Sequence, residues 1–402
     1  MVANFRAVLL SSLCALGIGA NASAEISGDV IRIGFLSDLS GPYADADGPG
    51  SAEAIRMAIA DVGGSINGKP IEFVFADHFN KSDVASEKAR EWFDRHGVDM
   101  LVSGGSSGAT IALAKLAEEK KRVYVAVGTT AIRLTNEDCT PYTVHYVYDV
   151  VALARGTGSA VVNNGGKSWY FLTADYTFGT TLENIASEVV KENGGTVLGS
   201  ARAPLNTMDF SSFILQAQNS NAQVLGLANG GGDTVNAITA ASQFGLTRQM
   251  SLAGLLIHIS DIHSLGLDVA QGMYATIGWY WDQDEASRKW SKRFFERMKV
   301  APTAAHAGSY SAAMHYLNAV KALGTDDPDQ VMAHMKSTPI NDMFTRNGNI
   351  RPDGRMVYDM YLMQVKSPDE SRYPWDYFKK IDRISGASIY TTKEESKCAL
   401  WK

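Results

Sequence analysis

The stretch LVSGGSSGATIALAK, Leu101 to Lys115, runs from an apolar segment through a glycine- and serine-rich knot into an amphipathic pattern. It has an echo: VDMLVSGGSSGATIALA (Val98 to Ala114) parallels AQVLGLANGGGDTVNAITA (Ala222 to Ala240). Each is a short buried strand that ends in a Gly-rich turn and opens a helix, so one supersecondary unit is used twice. Around each copy the hydrophobic period switches between two and 3.6 residues.

In the first half, strands are predicted at Val30–Leu36, Ile71–Ala76, Met100–Ser103 and Val123–Val127, with helices at Ser51–Asp61, Val84–Arg95 and Ala109–Lys120. In the second, strands at Ser168–Thr173, Thr196–Ala201, Val224–Ala228 and Met250–Ala253 alternate with helices at Val150–Val162, Thr180–Glu192, Phe210–Gln218 and Thr234–Phe244. Alternation of this kind builds parallel sheets. The fold class is therefore α/β: two doubly wound parallel-sheet lobes joined by a multi-strand hinge and facing each other across a cleft. Beyond Gly272 the repeat stops, with helices at Glu285–Met298, His306–Leu323 and Asp329–Lys336, then strands at Met356–Lys366 and Trp375–Ile381. A chain that crosses back between lobes has this late, non-repeating tail. Lobe one is expected to comprise residues 25–147 and 275–355, lobe two 148–274 and 356–386, and a C-terminal tail 387–402.

The net charge of −6 and a longest basic run of only EEKKR (Glu118 to Arg122) argue against a nucleic-acid partner. Arg6, the apolar run Ala7 to Ala20 and the Ala22-Ser23-Ala24 site read as a secretory signal peptide, residues 1–24, cleaved after Ala24. Location in an exported compartment follows as an expectation. Export leaves Cys139 and Cys398 in an oxidising compartment, where they are expected to pair.

The knot permits three chemistries. Gly104-x-Ser106-x-Gly108 matches the spacing of a hydrolase nucleophile elbow, which would need a later acid and His. A dinucleotide site would need G-x-G-x-x-G and an acid after the next strand, and that strand ends instead in GTT (Gly128 to Thr130). His258 and His263, in HISDIH, sit five apart and do not share a helix face as a zinc pair does. No cofactor and no metal are expected. Ligand binding remains: a helix N-terminus welcomes an anion, and Ser106, Ser107, Thr129 and Thr130 offer hydroxyls at one rim. The bland reading of each hydroxyl is helix capping.

The motifs IRIGFLSDLSGPYADADGPGSAEAIRMAI (Ile31 to Ile59), VSGGSSGATIALAKLAEEKKRVYVAVGTT (Val102 to Thr130), WYFLTADYTFG (Trp169 to Gly179) and QGMYATIGWYW (Gln271 to Trp281) occur in an order that resembles the periplasmic type I solute-binding proteins of ATP-binding-cassette importers, the branched-chain amino acid class. The resemblance implies a monomeric binding protein, not an enzyme, that closes on a small carboxylate and presents its closed form to membrane permease subunits. It places the ligand's carboxylate on Ser107 and Thr130, with Thr129 adjacent, and an aromatic from the second lobe, Phe178 or Tyr176, over the ligand. Amino-acid binders of the family set a Glu against the ligand's ammonium, and the matching position here is Leu255, in SLAGLLIHIS. An ammonium buried without a counter-charge is costly, so an aromatic acid is expected. Tyr43, Tyr148, Tyr176 and Phe178 would flank its ring and His258 would meet a phenolic hydroxyl. The stretches ADHFNKSD (Ala76 to Asp83) and VHYVYD (Val144 to Asp149) are similar to those of binders of benzoate- and cinnamate-type, lignin-derived acids. Trp279 and Trp281, alternating on a strand in GWYW, are expected in the core or at the rim. Rival readings are a branched-chain amino acid or amide binder, an exported serine hydrolase using Ser106, and a module that signals to a receptor instead of a transporter.

Overall fold

In the computed structural model, which describes residues 25–402, two parallel-dominated sheets form two lobes. The proposed signal peptide lies outside the described residues. The first sheet holds β1 (Ile31–Ser37), β2 (Ser65–Ile66), β3 (Lys69–Asp77), β4 (Met100–Gly104), β5 (Val123–Gly128) and β6 (Thr143–His145), in the order β2-β3-β1-β4-β5-β6. Only the edge pair β2–β3 is antiparallel. β4 and β5 are buried on both faces, which is why their first residues read as unbroken apolar runs and not as alternating ones.

The second sheet holds β7 (Ser168–Ala174), β8 (Thr196–Ala203), β9 (Val224–Ala228), β10 (Ser251–Gly254) and β11 (Tyr274–Ile277) in parallel, in the order β8-β7-β9-β10-β11. A small hairpin, β12 (Asn349–Ile350) with β13 (Met356–Val357), precedes β14 (Met360–Val365) and β15 (Phe378–Ile384), which extend the second sheet antiparallel beyond β11. Strand order reverses beside β1 in the first sheet and beside β7 in the second. Crevices open at the carboxyl ends of strands at such reversals, so the loops after β1, β4, β7 and β9 are brought to the cleft.

Several elements differ from the expectations. The helix expected at Val150–Val162 is helical throughout but widens to a π segment at Ala154–Gly158. Gly156 there faces Thr276, and an added Cβ would lie 2.2 Å from its hydroxyl, so the helix packs this closely on β11 only without a side chain. The strand expected at Met356–Lys366 is broken between β13 and β14, because its first residues pair with β12 and not with the second sheet. The last strand starts at Phe378, since Trp375 takes a left-handed backbone, φ +68°, that a strand cannot continue. Trp279 and Trp281 are not on a strand: β11 stops at Ile277, and Trp279 is buried with its indole N–H donated to Met343 O at 3.0 Å. The crossing expected at 275 falls inside β11, so the chain returns to the first lobe after Ile277. There the helix Ala304–Leu323 packs against the helix Gly48–Asp61.

The lobes are joined where Tyr146–Asp149, Gly278–Trp281 and Arg355–Asp359 cross between them. Arg355 is fully buried at this junction. It pairs with Asp149 (3.4 Å), donates to the carbonyls of Val147 and Met356, and lies 4.6 Å from the Tyr390 ring. Cys139 and Cys398 form a disulfide with Cα atoms 5.7 Å apart, tying the C-terminal tail to the first lobe. No described helix is long and apolar enough to cross a membrane.

Candidate functional site

The turn after β4 is set by local physics. Gly105 has φ +74°, a conformation that costs glycine little. Ser106 then takes extended dihedrals and its hydroxyl accepts the amide of Ala109 at 3.3 Å, the N-cap of the helix Ser107–Lys120. His78, from the loop after β3, holds the turn from outside: its Nε2 meets Gly104 O at 3.0 Å and its Nδ1 accepts the amide of Asn80 at 3.0 Å. With both ring nitrogens engaged by backbone, His78 cannot serve Ser106 as a base. Ser106 is the cap of that helix.

The hydroxyls do not all converge. Thr129 Oγ1 meets Thr110 Oγ1 at 3.1 Å and accepts the amide of Ala131 at 3.3 Å, so it closes its own turn. Ser107, the first residue of its helix, is buried outside the lining of the cleft cavity. Thr130, one residue past Thr129 and on the other face, does line it, and its Oγ1 is buried without a partner. Other buried hydroxyls, those of Ser309 and Tyr316 among them, also lack a partner, and Thr130 is distinguished from them by lining the cleft cavity.

The cavity is walled by Tyr43, Tyr148, Tyr176, Phe178, Leu256 and His258, with Asp47, Gly105, Gly128 and Thr130 at its first-lobe end. Tyr43 and Phe178 meet edge to face at 6.5 Å, and Tyr148 and His258 lie 5.9 Å apart. Burial, and then the neighbouring Tyr176, hold the Tyr43 phenol well above its ordinary pKa, so it stays neutral. Burial lowers His258 to about 4 and leaves its imidazole neutral at pH 7. Tyr43 and Tyr176 hydrogen-bond through their hydroxyls across the cleft, and Gly232 N–H donates to Pro42 O at 3.2 Å. The lobes are thus closed on each other. Gly231 makes this approach possible, because an added Cβ would lie 2.1 Å from Pro42 O and its φ is +58°.

Leu255 is not in the cavity. Its amide donates to Leu227 O at 3.3 Å, continuing the strand pairing of β10, and its side chain is wholly buried in the core. Side chains alternate along a strand, so Leu256 faces the cleft instead. His258 precedes the helix Ile259–Leu265, its amide donated to Asp261 Oδ2 at 2.8 Å, while His263 stacks on Trp375 with ring centroids 3.9 Å apart. The two His of HISDIH therefore serve different places. Among the described residues no group of His, Cys, Asp or Glu could hold a metal ion. Tyr146 is packed at the hinge with its hydroxyl 2.8 Å from Ser311 Oγ.

Asp47 was not legible as a site residue, because an Asp before Gly-Pro at a helix start reads as a cap. Its side chain caps nothing. It accepts hydrogen bonds from Ser37 and from Ser51 (2.8 Å) and lies against the ends of β4 and β5.

Similar proteins agree with this architecture. A periplasmic binding protein from Burkholderia mallei has a solved structure that is 57% identical, with a TM-score of 0.91, covering 93% of this chain and 100% of that one. A branched-chain amino acid ABC transporter periplasmic ligand-binding protein from Burkholderia xenovorans is 36% identical with a TM-score of 0.83, over 92% of this chain and 100% of that one. A solute-binding protein of an ABC transporter from Rhodopseudomonas palustris, in complex with 3,4-dihydroxybenzoic acid, shares the fold at 21% identity and a TM-score of 0.81, over 90% and 99% of the two chains. These relatives are substrate-binding proteins and not enzymes. With residues 30–371 matching the family directly, this chain belongs to the periplasmic binding protein family, the substrate-binding components of ABC transporters.

Proposed function

We propose that this protein captures a small aromatic carboxylic acid, of the benzoate or cinnamate type, in the cleft between its lobes and delivers it to permease subunits. The observation that carries the reading is Thr130 Oγ1, buried and unpartnered at the first-lobe end of a cavity whose lining includes four aromatic rings and His258. A carboxylate oxygen would supply the missing acceptor at that end. The closed form leaves only about 10 Å³ between these walls, so a ring enters by parting the lobes; Tyr43, Tyr148, Tyr176 and Phe178 then supply flat apolar surface for it, and neutral His258 can exchange a hydrogen bond with a ring substituent. The second-lobe wall of the cavity, Tyr176, Phe178, Leu256 and His258, carries no acid to receive an amino acid's ammonium. The dihydroxybenzoate complex of the Rhodopseudomonas relative supports the ligand class, and the Burkholderia xenovorans relative favours branched-chain amino acids as the competing class.

A thermal-shift screen of residues 25–402 against benzoates, cinnamates, branched-chain amino acids, amides and aliphatic diacids tests the reading. A ligand bound only by the folded state raises the melting temperature by mass action. Stabilisation by aromatic acids alone is expected, and stabilisation by leucine or valine alone would refute it. Thr130→Ala is expected to weaken binding of an aromatic acid by about 1–3 kcal/mol, the loss of a hydrogen bond to a charged group. Thr129→Ala, which opens only its own turn, should leave affinity unchanged. Equal losses in a titration of both variants would remove the placement of the carboxylate on Thr130.

A further inference from the structure

The carboxylate reading leaves Asp47 without a role, although it lines the same end of the cavity as Thr130. We propose that Asp47 is a specificity-determining residue that shares one proton with the bound ligand's carboxylate, so that ligand and proton are taken up together; the proposal rests on the carboxylate reading above.

The geometry is built around this side chain. A Cβ added at Gly104 would lie 1.6 Å from Asp47 Oδ2, and one at Gly128 2.4 Å from its Cγ. The carboxyl group therefore occupies space that side chains on the last residues of β4 and β5 would otherwise fill, directly beneath the turns carrying Gly105 and Thr130. Its hydrogen-bond donors are neutral, the hydroxyls of Ser37 on β1 and Ser51 on the helix Gly48–Asp61. The ionisable groups facing it are His78 after β3, which favours its charged form, and Asp38 after β1, which opposes it. Tyr124 on β5 and Tyr148 at the hinge also lie within its field. Burial outweighs the two hydroxyls and raises the Asp47 pKa from its ordinary value.

A second carboxylate brought into this cavity meets a like charge in a low-dielectric space, where two carboxylates hold one proton between them. Asp47 is then more protonated in the complex than in the free protein. Linkage fixes the sign: affinity falls as pH rises, by up to about tenfold per pH unit, between Asp47's pKa in the free protein and its higher pKa in the complex. A ligand with an ammonium beside Asp47 would do the reverse, since pairing favours the ionised acid and affinity would then rise with pH.

The test is calorimetric titration of 4-hydroxybenzoate and of leucine into the wild-type protein. It runs from about pH 5.5 to about 8.5, above the ordinary range of a free carboxyl group. Two buffers of different ionisation enthalpy count the protons taken up. Proton uptake with 4-hydroxybenzoate, affinity falling with pH, and a flattened pH profile in Asp47→Asn are expected. Binding of 4-hydroxybenzoate with no proton uptake and no pH dependence would overturn the role of Asp47 and leave the carboxylate reading standing. Failure of the aromatic acid to bind, or leucine binding with affinity that rises with pH, would overturn both. Should Asp47→Asn not fold, the proton count on the wild type decides alone.

Discussion

Arg355→Met is expected to destabilise the protein by about 3–5 kcal/mol, the loss that follows when one partner of a buried ion pair is removed and the other charge is left behind. Arg355 and Asp149 are both essentially inaccessible to water, and the guanidinium also serves the carbonyls of Val147 and Met356. Those carbonyls belong to different interlobe crossings, so a single side chain ties two strands of the hinge together. Asp149 is engaged on its other oxygen, accepting the amide of Ala152 at 2.8 Å, and cannot swing away to water. Lysine would keep the charge but not the planar fork that reaches several acceptors at once, so Arg355→Lys should recover only part of the loss. Denaturant unfolding of the three proteins measures this. A loss under about 1 kcal/mol in Arg355→Met would mean that the hinge is held by packing and that the pair adds little.

Reduction of the Cys139–Cys398 disulfide, or Cys139→Ser, is expected to cost about 2–5 kcal/mol, the usual effect of removing a disulfide. The bridge spans 259 positions, so the unfolded chain gains much freedom when it opens. It also fastens a tail that covers the hinge. Tyr390 lies over Arg355, Arg351 donates to Thr391 O at 2.8 Å, Arg155 donates to Tyr390 O at 2.8 Å and pairs with Glu395, and Lys397 N–H donates to Asn136 Oδ1 at 3.0 Å. Releasing the tail admits water to the Arg355–Asp149 pair, so the two perturbations share a partner and their costs should not add. Unfolding midpoints with and without reductant, in wild type and in Arg355→Met, check both points. Coincident midpoints for oxidised and reduced wild type would show that the tail is held by its other contacts.

The alternation of strand and helix, and the Gly-rich turn repeated near residues 104 and 230, were enough by themselves to establish two α/β lobes. Period and turn chemistry are local properties, carried by residues a few positions apart. For Ser106 the sequence offered both a ligand contact and a cap, and the Ala109 amide decided for the cap; the pairing of Cys139 with Cys398 belongs to the same class of inference as the turns. Side-chain direction does not. Leu255 and Leu256 differ by one residue, as do Thr129 and Thr130, and which member of each pair faces the cleft depends on where strand pairing ends: at Leu255 N–H to Leu227 O in one case, and past Gly128 in the other. A shift of one position exchanges core for cleft. Asp47 shows the same limit more sharply. Nothing near it in sequence distinguishes a cap from a buried acid, and its role came from Gly104 and Gly128, more than fifty positions away, which leave the space it occupies. The sequence determined the lobes, because each is built from contacts that local patterns encode. The tertiary structure decided which side chains meet in the cleft, because those contacts join loops that only the closed arrangement of two sheets brings together.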